Sequence, residues 1–99
     1  MQHQSEILRI INQLFEIEKK TAQQNNIVRH IERIKDAFAD MALQIHNPMG
    51  EAYNETRTDC EANIAGAKLD NLVVIDVIKP IVHLDGKIIQ KGIIIVEGK

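Results

Sequence analysis

The sequence is short of nearly everything that small proteins use to lock themselves shut. Its 99 residues include a single cysteine, Cys60, so no intrachain disulfide can form. A lone thiol fits a reducing compartment. Tryptophan is absent, and the aromatic side chains are Tyr53, Phe15 and Phe38, which leaves an apolar content that is almost wholly aliphatic. Charge of one sign is also lacking. Twelve basic residues face fourteen acidic ones, and residues 1–46 carry six of each. Counterion release from a phosphate backbone needs a concentrated basic face, so DNA and RNA are not expected partners. Apolar runs are short: Ile93 to Val96 is among the longest, far too brief to span a bilayer. The opening Met1-Gln2-His3-Gln4 lacks the basic-then-apolar order of a signal peptide. The expectation is a soluble cytoplasmic protein that engages no membrane.

The elements of a reactive site are missing too. His3, His30, His46 and His83 include no pair at a spacing of three or four residues, and no second cysteine joins Cys60, so no zinc site is expected. Cys60 as a nucleophile would require an adjacent base that the sequence does not supply. Glu51, Glu55 and Asp59 recur every four residues. Like charges at that spacing repel and lack the glycine and ligand alternation of a calcium loop, so they read as a solvated acidic face. No glycine-rich phosphate loop occurs. No catalytic residue, metal ligand or cofactor is expected, and the chain is read as a non-enzyme whose site is a surface.

What the chain does have is pattern. From Ile7 to Ile45 apolar residues recur at helical spacing. A heptad counted from Ile7 places Ile7, Leu14, Thr21, Val28, Lys35 and Ala42 at one seam position. Ile10, Ile17, Gln24, Ile31, Phe38 and Ile45 take the other. Ile11, Ile27, Ile34 and Met41 widen the stripe, which suits a bundle better than a bare two-stranded coil. Ser5 is placed to cap the helix start. At Thr21 to Asn26 the stripe turns polar, and two arrangements fit. One is a single helix of about 40 residues, roughly 60 Å long, which is the reading favoured. The other is a hairpin turning near Asn25-Asn26. A lone amphipathic helix gains little stability from propensity, so something must cover the stripe, and a second copy of the chain is the simplest cover. Homodimer contacts are assigned to Ile7, Ile10, Leu14, Ile17, Val28, Ile31 and Phe38.

The pattern changes at His46-Asn47-Pro48. From Leu72 onward short β-rich runs follow one another: LVVIDVI, IVHL, KIIQ and IIIVE. Asp85-Gly86 between two of them reads as a tight hairpin turn. Pro80 marks a strand start or an edge, and Gly92 a break before the last strand. Four consecutive aliphatics, Ile93 to Val96, call for a central strand covered on both faces. Gly50 to Gly66 is polar and irregular and reads as a solvated loop or short helix. The fold class is therefore α+β, with a coiled-coil-like helical arm over residues 1–45 and a small all-β head over residues 46–99.

The run Val73 to Val96 is similar to the end of the GrpE family of Hsp70 nucleotide exchange factors. Leu84-Asp85-Gly86-Lys87 matches that family's Leu-Asn/Asp-Gly-Arg/Lys hairpin, and Ile95-Val96 its closing strand. Asn47-Pro48-Met49-Gly50-Glu51-Ala52-Tyr53 resembles the opening of the family's head. The chain departs from the pattern at Asn54-Glu55, at Thr58-Asp59-Cys60, at Ile81-Val82 in place of a Gly-Tyr pair, and at Gln90 in place of an arginine. Its arm is also much shorter than the family stalk. The resemblance implies that the helices dimerise while the head docks on an Hsp70 ATPase domain and favours the open, ADP-releasing state. On the matching strand positions it assigns Ile78, Lys79 and Val96 to partner contact. The departures motivate an alternative, a dimeric adaptor with the same head that has lost exchange activity. A ligand-binding aliphatic barrel is a more distant one.

Overall fold

The computed structural model describes residues 2–99. Two helices, α1 (Gln4–Lys20) and α2 (Asn25–Asp40), form a hairpin. Six strands follow: β1 (Leu43–His46), β2 (Cys60–Ala65), β3 (Leu72–Lys79), β4 (Ile81–Leu84), β5 (Lys87–Gln90) and β6 (Gly92–Gly98). The α+β class holds, and the long unbroken helix does not. Thr21 ends α1 with its backbone N–H and its hydroxyl both donating to the Ile17 carbonyl, at 3.0 and 2.7 Å. The polar run behind it has no apolar face to bury, so nothing favours continuing the helix. Asn25 and Asn26 open α2 rather than forming the turn, which occupies residues 21–24. Ser5 lies inside α1, and the residue before the helix, His3, caps it with no side-chain hydrogen bond. Glu6 in the first turn and Lys19 and Lys20 in the last complement the helix dipole.

α2 ends because Ala42 turns left-handed (φ 64°), and the chain enters a strand at once. Leu43 to Ile45, expected at the end of the helical arm, form β1 instead. They pair antiparallel with β4, from Leu43 opposite Leu84 to His46 opposite Ile81. A boundary drawn between residues 45 and 46 therefore cuts a strand.

The strands make two three-stranded sheets, in the orders β1-β4-β5 and β2-β6-β3. β6 is the central strand of the second, parallel to β2 and antiparallel to β3. Ile94 and Val96 are fully buried, while Ile93 and Ile95 on its other face are only partly covered. The Asp85-Gly86 turn joins β4 to β5 with both residues at positive φ (51° and 79°), as a tight hairpin of this kind requires. Pro80, buried, sits where the chain leaves one sheet for the other. Gly92 makes the return close: a β-carbon there would lie 2.9 Å from Ile81 Cγ1 and 3.3 Å from Cys60 Sγ.

Two buried clusters fill the interior. Phe15 packs with Val74, Val77, Ile94, Val96 and Cys60 of the second sheet and with Ile81 of β4. Ile11 packs with Leu43 and Val82, with Ile7, Leu8, Phe38, Ile45, Leu84 and Ile89 against them. α1 contributes to both. That helix lies on the head and does not extend from it as an arm. Asn12 and Gln90 exchange a reciprocal pair of amide hydrogen bonds, each 2.9 Å, and Lys19 Nζ donates to the Val77 carbonyl at 2.9 Å.

Candidate protein-interaction surfaces

The most informative local feature is β3. In a regular strand alternate side chains point to opposite faces. In β3 the buried residues are Val74 and Val77, three apart. The register slips twice against β6, between Val74 and Asp76 and again between Val77 and Lys79. A β-bulge puts an extra residue opposite one on the neighbouring strand and re-aims side chains. Here the two bulges keep both valines inward and leave Ile75 and Ile78 on the solvent side, 39% and 45% exposed. Ile93 and Ile95 of β6 are partly covered on the face away from Ile94 and Val96. Glu61 and Asn63 of β2 lie opposite them in register on one side, and Lys79 and Asp76 of β3 on the other. The result is a mixed aliphatic and polar patch on the second sheet. The Asp76 carboxylate accepts from the Val77 N–H at 2.9 Å and lines a crevice with Phe15, Lys19, Asn47 and Met49.

Of the three residues assigned to partner contact, Ile78 and Lys79 lie together on this patch. Val96 does not. It is wholly buried on the inner face of the sheet, because in the central strand it alternates out of phase with Ile93 and Ile95. Ile75, not singled out from sequence, is exposed as well, and nothing in the sequence marks Val74 and Val77 as the buried pair.

The homodimer list divides as well. Ile7 and Phe38 pack on the Ile11 cluster, Leu14 and Ile31 are buried within the chain, and Val28 is half-buried. Only Ile10 and Ile17 remain strongly exposed, at 56% and 48%. Ile34 of α2, 44% exposed, joins them along a groove of about 520 Å³ whose other walls are Glu6, Arg9, Gln13 and Leu14. An ion pair between Lys35 Nζ and Glu18 Oε2 (3.2 Å) links the two helices beside it. The seam residues divide because the head already covers one side of α1.

Gly50 to Gly66 is not a loose loop. Its first part adds to the free edge of β3: Gly50 N–H donates to Val74 O, Val74 N–H to Glu51 O and Tyr53 N–H to Leu72 O, all within 3.0 Å. Its last part is β2, whose inward Cys60 and Ala62 pack on the Phe15 core. Between them Arg57 acts as a clasp. Its Nε and Nη2 donate to the two carboxylate oxygens of Asp59, each at 2.9 Å, and Nη1 donates to Glu51 Oε1 and the Ala52 carbonyl, each at 3.1 Å. His46 Nε2 lies 2.6 Å from the other Glu51 oxygen. Two members of the expected acidic face are thus consumed by one guanidinium. The Arg57 hydrogen bonds hold the Asp59 carboxyl below the usual carboxylate range, and the same contacts raise Arg57. Burial, followed by the Asp59 charge, pushes the Cys60 thiol up to about 11, so it remains protonated at neutral pH.

Among the described residues, no three histidine, cysteine or carboxylate side chains gather as a metal cage, and no helix is long and apolar enough to cross a membrane. Set against family models, curated proteins and solved structures, the chain matches none of them.

Proposed function

We propose that the chain is a GrpE-like co-chaperone whose β-head docks on the ATPase domain of an Hsp70 chaperone and promotes ADP release. The observation that carries this reading is the pair of bulges in β3. They leave Ile75 and Ile78 exposed to solvent, where burial against a second protein would recover the apolar area left uncovered. The Leu84-Asp85-Gly86-Lys87 hairpin and the Asn47 to Tyr53 opening of the head support the same family reading. The mechanism needs no covalent step. A head that binds the open nucleotide cleft more tightly than the closed one shifts the chaperone toward the state that lets ADP go.

The hairpin is the self-association element in this reading, a role supported by the Ile10, Ile17 and Ile34 strip. The groove rim carries one acid, Glu6, and one base, Arg9, so a second copy meets it with no net repulsion, and a two-fold axis brings the same strip from both sides. The structural departures favour a second reading. Gln90 is spent on Asn12 and the Pro80 carbonyl, and Ile81 and Val82 are wholly buried. The positions that differ from the family therefore serve internal packing, as in a dimeric adaptor that has given up exchange.

Release of fluorescent ADP from the source cell's Hsp70 decides between the two. An exchange factor accelerates it, and Ile78→Asp abolishes the acceleration while leaving the denaturation midpoint unchanged. An adaptor leaves the release rate untouched.

A further inference from the structure

The second sheet has two edges, and the chain treats them differently. The β3 edge is covered, since Gly50, Glu51 and Tyr53 bond to the main chain of Val74 and Leu72. β2 has no strand on its other side among the described residues. The Gly92 N–H donates to the Asp59 carbonyl at 2.9 Å, so residues 59, 61, 63 and 65 turn their main-chain groups toward β6. Ala62 and Ile64 turn theirs outward, and no backbone hydrogen bond from another described segment reaches them. Open edges are ordinarily defended by lysine, proline or a bulge. β2 has none of these. It runs beside β6 without a register slip, and its one charge is Glu61.

We propose that two copies of the chain join along this edge, β2 against β2, antiparallel about a two-fold axis at Asn63. In that register Ala62 of each copy exchanges both main-chain hydrogen bonds with Ile64 of its partner. The side chains are self-complementary. Asn63 meets Asn63, whose amide both donates and accepts, and Glu61 lies opposite Ala65, so no like charges face each other. Ile64, 47% exposed, comes to lie opposite the small Ala62 and loses its contact with water. An axis at Ala62 would instead draw in Cys60, which is already buried. The product is one continuous sheet through both copies. This surface is separate from the helix strip, none of whose residues belongs to β2, so the two contacts are tested independently.

The test is amide hydrogen exchange of the full chain across a concentration series, with light scattering to follow its size. The Ala62 and Ile64 amides are expected to exchange freely in dilute solution, and about tenfold slower once about nine-tenths of the chain is paired. Glu61 and Asn63, already bonded to β6, are the slow internal reference. Asn63→Lys sets two ammonium groups across the axis at an exposed position. It is expected to weaken association about fivefold and to leave the denaturation midpoint of the dilute chain unchanged. Ala62→Pro removes an outward donor from each copy and no bond to β6, and is expected to weaken association about thirtyfold. An Ile10→Lys/Ile17→Lys variant is expected to keep the concentration-dependent protection of Ala62 and Ile64. Copies that associate while those two amides exchange freely meet elsewhere, which overturns the edge pairing and leaves the helix strip standing. Loss of all association in the Ile10→Lys/Ile17→Lys variant has the same meaning. A chain monomeric at every concentration overturns both contacts.

Discussion

The two helices carry similar amphipathic patterns and are joined by a few residues, yet the molecule uses them in opposite ways. α1 buries Ile11, Leu14 and Phe15 and contributes to both cores, with two further polar ties to β5 and β3. α2 buries Ile31 alone and leans on the head through Phe38 near its C-terminal end. Helical periodicity reports that a face is apolar, not which surface will cover it. One helix has become part of the core, and the other remains a surface element attached to it.

Substitutions sharpen this contrast, and the largest effect belongs to α1. Phe15→Ala removes a buried ring from the larger core and is expected to cost about 3–5 kcal/mol, read as a drop in the urea midpoint. Removal of the clasp comes next. Arg57→Ala leaves Asp59 and Glu51 without their donor and is expected to cost about 1.5–3 kcal/mol, with faster exchange at Tyr53 and Val74, whose edge pairing the clasp supports.

A pH series tests the same clasp without truncation. Because Asp59 is held below its ordinary value in the folded chain, the Arg57 contact contributes fully above the ordinary carboxylate range. That contribution disappears as pH falls through the lowered folded value. Arg57→Gln is expected to flatten this acid limb in a plot of stability against pH. An unchanged limb would mean that other carboxylates dominate it. The smallest effect belongs to α2. Ile34→Ala, measured in dilute solution, is expected to stay within about 0.5 kcal/mol. A cost as large as that of Phe15→Ala would erase the distinction between the helices.

The β-rich end was legible because its signals are local. Asp85-Gly86 demands positive φ at two successive residues, Pro80 interrupts a run, and four aliphatics in a row call for a central strand. β1 and β2 were not. Leu43 to His46 continues the helical spacing, and only the left-handed turn at Ala42 separates it from α2. Cys60 to Ala65 has small and polar residues with weak strand preference, and it becomes a strand because β6 offers it an edge. Of the candidate contacts, Ile78 and Lys79 landed on the outer patch and Val96 did not. Alternation shows that a strand has two faces but not which one is inside, and the bulges that settle this in β3 are visible only as a register slip.

The placement of β6 between β2 and β3 has a consequence for synthesis. β2 and β3 touch only through a strand made after both of them, so a nascent chain that has emerged as far as β3 has the Gly50–Tyr53 edge pairing but no three-stranded sheet. Val74 and Val77 lack their β6 partners until that strand is made. For that interval the inner edge of β3 is open to pairing with another chain.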